Sequence, residues 1–286
     1  MTRSFDPALQ QLLTQHLPAA LVAGNFLPLA GGLTGLSGQI VWENGRLLAR
    51  RQPAYPLPLV DRRREFRLLR KLSAQGLVAA PLAVNRDWLL LPWQAGEPVT
   101  EPLDALRPSL LALLNRLHHQ PLTGYRLRLL PLLQRYWQLC QQRHHRWQRA
   151  LRRLQVCGEP QPLRLAPLHM DIHAGNLLRT PNGLRLIDWE YAGDGDVALE
   201  LASLPYVSGE RDRWLRDYAQ MARLPLAGLR QQTARWQPWL ELLAASWYQL
   251  RAEQSQDDQL IAAAQDAWQQ LGQSHLSSAV RAGEII

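Results

Sequence analysis

One stretch of the chain gathers the residue types that can do chemistry. It reads His169-Met-Asp171-Ile-His173-Ala-Gly175-Asn176, continues through Pro181-Asn182-Gly183, and ends in Asp188-Trp189-Glu190. Pro-Asn-Gly between two apolar arms predicts a hairpin turn. Asn176 lies six residues before Asn182 and Asp188 lies six after it. Across an antiparallel pair such positions sit directly or diagonally opposite, with Cβ atoms about 5 to 8 Å apart. An amide oxygen and a carboxylate converging there suit a hard cation with oxygen ligands, for which Mg²⁺ with phosphate oxygens is the natural candidate. Asp171, on the loop feeding the hairpin, is placed to accept the proton of a hydroxyl attacking near that metal. A lone Asp or Asn would read as an ordinary loop residue. The full spacing points to chemistry.

His169 and His173 are four apart, a metal-ligand spacing only on a helix. Gly175 and Pro167 argue for a loop, and the Glu of His-Glu-x-x-His is missing. His169 is therefore expected as a buried organiser that hydrogen-bonds backbone near Asp171, not as a zinc ligand. Ser37, among glycines, lacks the second Gly of a Gly-x-Ser-x-Gly elbow.

The elements that must position these residues fall into two kinds. Residues 26–51 mix short strand-like runs with glycines, and Asn44-Gly45 between two such runs predicts a hairpin. Val60–Gln75 reads as a helix ended by Gly76, with Phe66, Leu69 and Leu72 on one side. Pro81–Val84 and Trp88–Leu91 read as further strands. Beyond Pro92 the pattern turns helical over Leu103–His118, Leu129–Gln155, Arg211–Arg223, Gln232–Glu253 and Asp257–Leu271. The predicted architecture is α+β. A small antiparallel-sheet lobe over residues 1–92 joins a larger helical lobe over 93–286, which carries the Asp171 loop.

Composition excludes several classes. With 47% apolar and 20% charged residues, 286 residues suffice for a substantial core, and disorder is excluded over most of the length. No apolar run approaches a membrane span, and the start shows no signal-peptide pattern. Cys140 and Cys157 are too few for a disulfide framework. A cytoplasmic protein is expected. Of the 32 basic residues only Lys71 is a lysine, a skew that fits base composition better than a polyanion surface. Arg62-Arg63-Arg64 and Arg143-His-His-Arg146-Trp147 are read as solvated helix faces, so no nucleic-acid partner and no membrane is expected.

The His169–Glu190 segment resembles the aminoglycoside/choline-type phosphotransferase family, whose fold is like that of protein kinases. The resemblance implies a catalytic base at Asp171. It places magnesium and the phosphates of ATP at Asn176 and Asp188. The longer runs, Leu168 to Leu177 and Leu184 to Ala202, are similar to bacterial thiamine kinases, implying phosphorylation of thiamine. The family usually has Asp where Glu200 stands.

Other features follow in family order. Gly31-Gly32-Leu-Thr34-Gly-Leu-Ser37-Gly38 is similar to the loop that covers phosphates, which assigns nucleotide contacts to Gly32, Thr34 and Ser37. The phosphate-contacting strand lysine is missing. Arg50 stands in the equivalent strand, with Glu65 as its expected ion-pair partner and Arg51 as the alternative after a one-residue slip. Leu89-Leu-Leu91-Pro-Trp93 resembles the strand and hinge that read adenine, which assigns Leu91 and Trp93. Leu117-His118, closing a predicted helix, fits a family pattern and equally an ordinary helix end.

The acceptor expected from the residues is a small cationic alcohol with an aromatic face. Trp189, Glu190, Tyr191 and Asp196 lie near the metal position and are the candidate contacts. Trp236, Trp239 and Trp247 on the C-terminal helices could line a pocket for a cationic aromatic ring, and core packing is the preferred reading for any one of them. Choline, ethanolamine or an aminoglycoside is the alternative acceptor. A nucleotide-binding module without catalysis is disfavoured by the intact Asp171, Asn176 and Asp188.

Overall fold

The structure, a computed structural model, describes residues 5–29, 35–43, 45–207 and 209–282. The chain opens with two helices that the sequence reading did not anticipate, α1 (Pro7–His16) and α2 (Pro18–Ala23). Each starts on proline, where a missing N–H leaves nothing unsatisfied. Asp6 caps α1 by accepting from the Ala8 and Leu9 amides at 3.0 and 3.3 Å.

Next come β1 (Asn25–Pro28), β2 (Ser37–Trp42) and β3 (Gly45–Arg51), then α3 (Arg62–Ser73), β4 (Ala83–Val84) and β5 (Trp88–Pro92). The strands form an antiparallel sheet in the order β1-β2-β3-β5-β4. Asn44 of the predicted turn lies outside the described residues. β2 and β3 do form the expected hairpin, but they pair from Trp42↔Gly45 to Ser37↔Arg50, so Gly45 belongs to β3 and the register is shifted from the one an Asn44-Gly45 turn would set. Leu9, Leu12, Leu13, Ile40, Leu47 and Trp88 form a core of their own on one face of the sheet.

Asp61 caps α3 through the Arg64 amide at 2.9 Å. The buried face of α3 carries Arg62 and Glu65 beside Leu68, Leu69 and Leu72. Phe66, predicted on that face, is only half-buried.

The rest of the chain is mostly helical. In order come β6 (Glu97–Pro98), α4 (Arg107–His118), α5 (Leu129–Leu139), α6 (His145–Cys157), β7 (Leu165–Leu168), β8 (Leu177–Thr180), β9 (Gly183–Leu186) and β10 (Gly193–Asp196). They are followed by α7 (Val197–Ser203), α8 (Arg211–Ala222), α9 (Leu226–Ser255) and α10 (Asp258–Ala282).

The single helix predicted over Leu129–Gln155 is two helices. Glu253 of α9 accepts the Gln141 and Gln142 amides at 2.7 and 3.0 Å, so a distant carboxylate satisfies backbone that would otherwise continue the helix. His144 then caps α6 at the Trp147 amide, which makes Arg143–Trp147 a break and a cap instead of a solvated face. The main core runs from Leu68 of α3 through Leu110 and Leu114 of α4 to Leu201, Trp236 and Trp239. Among the described residues no helix is long and apolar enough to cross a membrane.

Candidate active site

The hairpin of β8 and β9 pairs Leu177 with Leu186 and Thr180 with Gly183. Gly183 takes φ +99°, a conformation that excludes most side chains. The turn is therefore centred between Pro181 and Asn182, not on Asn182. Asn176 faces Ile187, whose amide donates to the Asn176 carbonyl at 3.0 Å. Asp188 lies one residue beyond Ile187, neither directly nor diagonally opposite Asn176; it has a left-handed φ of +64° and lines the same cavity as Asn176.

Asn176 Nδ2 donates to the Asp171 carbonyl at 2.9 Å and to Asp171 Oδ2 at 2.8 Å. The amide thus locks the base candidate and leaves its own Oδ1 as an acceptor. His173 Nε2 lies 3.8 Å from Asp171 Oδ2 and is half exposed; that carboxylate raises the imidazole above its ordinary pKa. His169 is fully buried. Its Nδ1 accepts the Asp171 amide at 3.3 Å, and its Nε2 donates to the Ile187 carbonyl at 2.9 Å. Burial lowers its pKa, so it serves as a neutral organiser, as its sequence context predicts.

Charge converges on this loop from the sheet side. Arg50 is buried, with Nη1 2.8 Å from Glu65 and 2.5 Å from Asp188 Oδ1, and Nη2 2.8 Å from Glu190. Burial alone would lower its pKa; Glu65, Asp188 and Glu190 reverse this and push it far up. Arg62 binds the same acids, at 2.6 Å to Glu65 and 2.9 Å to Glu190. Burial raises the Glu190 carboxyl against the pull of both arginines. Asp188 Oδ1 is ion-paired with Arg50. Its carboxylate and the Asn176 side chain line the same cavity, and together they offer the oxygen donors that a hard cation needs.

A cavity of about 740 Å³ opens over these groups. Ser37, Arg50, Asp171, Asn176, Asp188, Glu190 and Tyr191 line it, with Trp247 and Tyr248 on α9. Trp247 donates to the Tyr191 hydroxyl at 2.9 Å and packs edge-on to Tyr248.

The structure corrects several candidates. Trp189 is buried against the His169 ring and donates to the Leu186 carbonyl at 3.2 Å, so it faces the core and not the cavity. Asp196 is buried too, and accepts from the Ala198 amide, Gln232 and Trp236. Its oxygens are committed to the fold. Leu91 pairs with Leu48, and the Trp93 amide donates to the Arg46 carbonyl at 3.4 Å, so both direct backbone groups into the sheet. Strand alternation puts the Pro92 carbonyl on the open edge, where Gln94 Nε2 reaches it at 3.2 Å. Gly32 and Thr34 lie outside the described residues. Trp247, read as core, lines the cavity. Arg51 alternates outward, half exposed over the Trp88 ring, so the one-residue slip does not occur.

Arg62 was passed over in the sequence as part of a basic run. Its only local signal is the spacing to Glu65, one helical turn away.

The chain matches the family model described as "Phosphotransferase enzyme family" over residues 25–231. It is 42% identical over 276 residues to thiamine kinases of Escherichia coli O157:H7 and Shigella dysenteriae serotype 1, covering 94% of this chain and 97% of each relative. In fold it is similar to choline kinase LicA from Streptococcus pneumoniae, with a TM-score of 0.70 at 18% identity over 89% of this chain and 96% of that one. A macrolide 2'-phosphotransferase type I aligns with a TM-score of 0.60 at 18% identity, over 92% and 97% of the two chains. The fold is kinase-like, and the chain belongs to the phosphotransferase enzyme family, as an ATP-dependent small-molecule kinase.

Proposed function

We propose that this chain transfers the γ-phosphate of ATP to the hydroxyl of thiamine, giving thiamine phosphate. The likeness over nearly the whole chain to thiamine kinases carries the reading. The geometry supports it. Asp171 opens onto a cavity large enough for a drug-sized molecule, and the wall holding Tyr191, Trp247 and Tyr248 offers ring faces to an aromatic cation. Glu190 borders the cavity as well, but Arg50 and Arg62 hold its carboxylate, so the ring faces and the Tyr191 hydroxyl are what that wall offers a thiazolium ring.

In this reading Asp171, fixed by Asn176, accepts the proton of the thiamine hydroxyl as it attacks in line. Asn176 and Asp188 would hold Mg²⁺. Among the described residues no group of three or more His, Cys, Asp or Glu forms a complete metal site, so phosphate and water would complete the shell. The metal, when bound, supplies charge neutralisation on the transferring phosphate. Arg50 approaches the phosphates from β3, and Ser37 borders them from β2. Residues 1–92 form the nucleotide-side lobe and 93–286 the acceptor-side lobe, hinged near Pro92. Two free cysteines, Cys140 and Cys157, suit a cytoplasmic setting.

The test is ADP release with Mg-ATP across thiamine, choline, ethanolamine and kanamycin. Thiamine is expected to drive turnover, and its failure under every metal condition overturns the reading. Asp171→Asn is expected to lower kcat by at least about a hundredfold while ATP binding persists.

A further inference from the structure

A second buried network lies behind the Asp171 loop and has no part in phosphate or acceptor binding. Glu200 of α7 is fully buried, and its Oε1 accepts two consecutive amides, His169 at 2.6 Å and Met170 at 2.7 Å. Met170 has φ +66°, a left-handed conformation that costs a non-glycine residue free energy unless its surroundings impose it. Two N–H groups on one carboxylate oxygen impose it here. The next residue is Asp171.

The other Glu200 oxygen, Oε2, lies 2.6 Å from Nε2 of His118, the last residue of α4. A carboxylate only accepts, so His118 Nε2 carries the hydrogen. His118 Nδ1 is 2.6 Å from the Tyr218 hydroxyl of α8, and both rings are buried and packed edge-on. The line Tyr218–His118–Glu200 thus runs from two helices to the backbone beside the base. A buried carboxylate without a partner takes up a proton and then serves one amide less well.

We propose that His118, acting through Glu200, is a positioning residue for phosphoryl transfer: it keeps Glu200 in the state that clamps the His169 and Met170 amides and so sets the pose of Asp171. The kinetic part of this inference rests on the kinase reading above; the structural part does not. Burial alone would raise the Glu200 carboxyl. The hydrogen bond and charge of His118, then the Met170 amide and His169, hold it below the usual carboxylate range. The groups facing Glu200 are His118 from α4 and His169 from the loop, with Tyr218 from α8, which itself lies near Arg164 and Asp196.

Three variants test this: His118→Leu, His118→Gln and Tyr218→Phe. Leucine removes the donor, whereas the Gln amide can still donate to Glu200. His118→Leu is expected to lower kcat about tenfold or more while KM for ATP moves less than about threefold. It is also expected to shift the acidic limb of kcat to higher pH, because Glu200 then protonates more readily. Hydrogen exchange at the His169 and Met170 amides should quicken in His118→Leu and stay near wild type in His118→Gln, which should retain most of kcat. Tyr218→Phe should move the limb the same way by less.

Equal loss in the Leu and Gln variants overturns the proposal, as does unchanged exchange at the two amides or a kcat loss with an unmoved limb. If His118→Leu fails to fold, Tyr218→Phe decides alone, and an unmoved limb with unchanged exchange overturns it. Exchange needs no substrate, so it separates failure of this inference from failure of the thiamine reading.

Discussion

Arg50 shows how much one side chain is asked to do. It meets three carboxylates while almost wholly buried, and Arg62 shares only two of them. Arg50→Met leaves buried Glu65 and Glu190 to share Arg62 alone, and removing one partner of a buried pair costs about 3 to 5 kcal/mol. Denaturant unfolding should show that loss. Arg50→Lys keeps the charge but lacks the planar fork, so it should recover only part of the stability and raise KM for ATP. Wild-type behaviour in the Lys variant would mean that charge alone suffices. Asp196 makes the opposite case. It accepts from Ala198, Gln232 and Trp236 inside the fold. Asp196→Ala should cost about 2 to 4 kcal/mol, since several buried donors lose their acceptor. KM for thiamine should stay unchanged in whatever fraction folds; a raised KM would return Asp196 to the acceptor site.

Among elements, the break between α5 and α6 depends on α9. Glu253 receives two backbone amides from Gln141 and Gln142 and a side-chain bond from Gln249 at 2.9 Å. Glu253→Ala should lower stability by about 1 to 2 kcal/mol in urea unfolding, with kcat and KM unchanged. An unaltered midpoint would mean that water serves those amides equally well. Pro238 shows the converse. It sits inside α9 without ending it, because Trp236, Trp239 and Leu242 bury the helix on either side and outweigh one missing hydrogen bond.

For the whole molecule, the buried groups set how stability responds to acid. Glu200 has a folded pKa below its unfolded value, so its stabilisation is present above the unfolded carboxylate range and lost as pH falls through the folded value. His169 is also depressed, by burial. Its neutral form is favoured in the fold, so stability drops as pH falls below the unfolded imidazole value of about 6.5. Glu190 runs the other way: its folded value is raised, so its protonation favours the fold at low pH. Between pH 7 and pH 5 the histidines decide. His169 and His144, both lowered by burial, lose stabilisation as pH falls, whereas His173, raised by Asp171, gains it. A lower Tm is therefore expected at pH 5 than at pH 7 in thermal melts, with the Glu200 loss following at lower pH. A Tm that rises on acidification would mean that His173 and Glu190 dominate.

Local spacing carried the chemistry of this chain: Asp171, Asn176 and Asp188 lie within one hairpin and its feeding loop, where turn signals and strand period fix neighbours. The Arg50–Glu65 pair was legible only through the family resemblance, which sets Arg50 in the place of the strand lysine and Glu65 as its partner. Contacts between distant parts of the chain were not legible. Glu190 joining Arg50 and Arg62, and Glu253 breaking a helix far upstream, leave no periodic trace, because the partner is supplied by packing and not by sequence neighbours. The orientation of Trp189 and Asp196 was decided in the same way. Residues near a site in sequence turn toward it or away according to which side chains the core has room to bury. The hairpin register gave one more example: one turn residue fewer than expected put Ile187 opposite Asn176 and left Asp188 one residue beyond it. Residue types and spacing determined which groups react; the tertiary structure decided which charges hold them there.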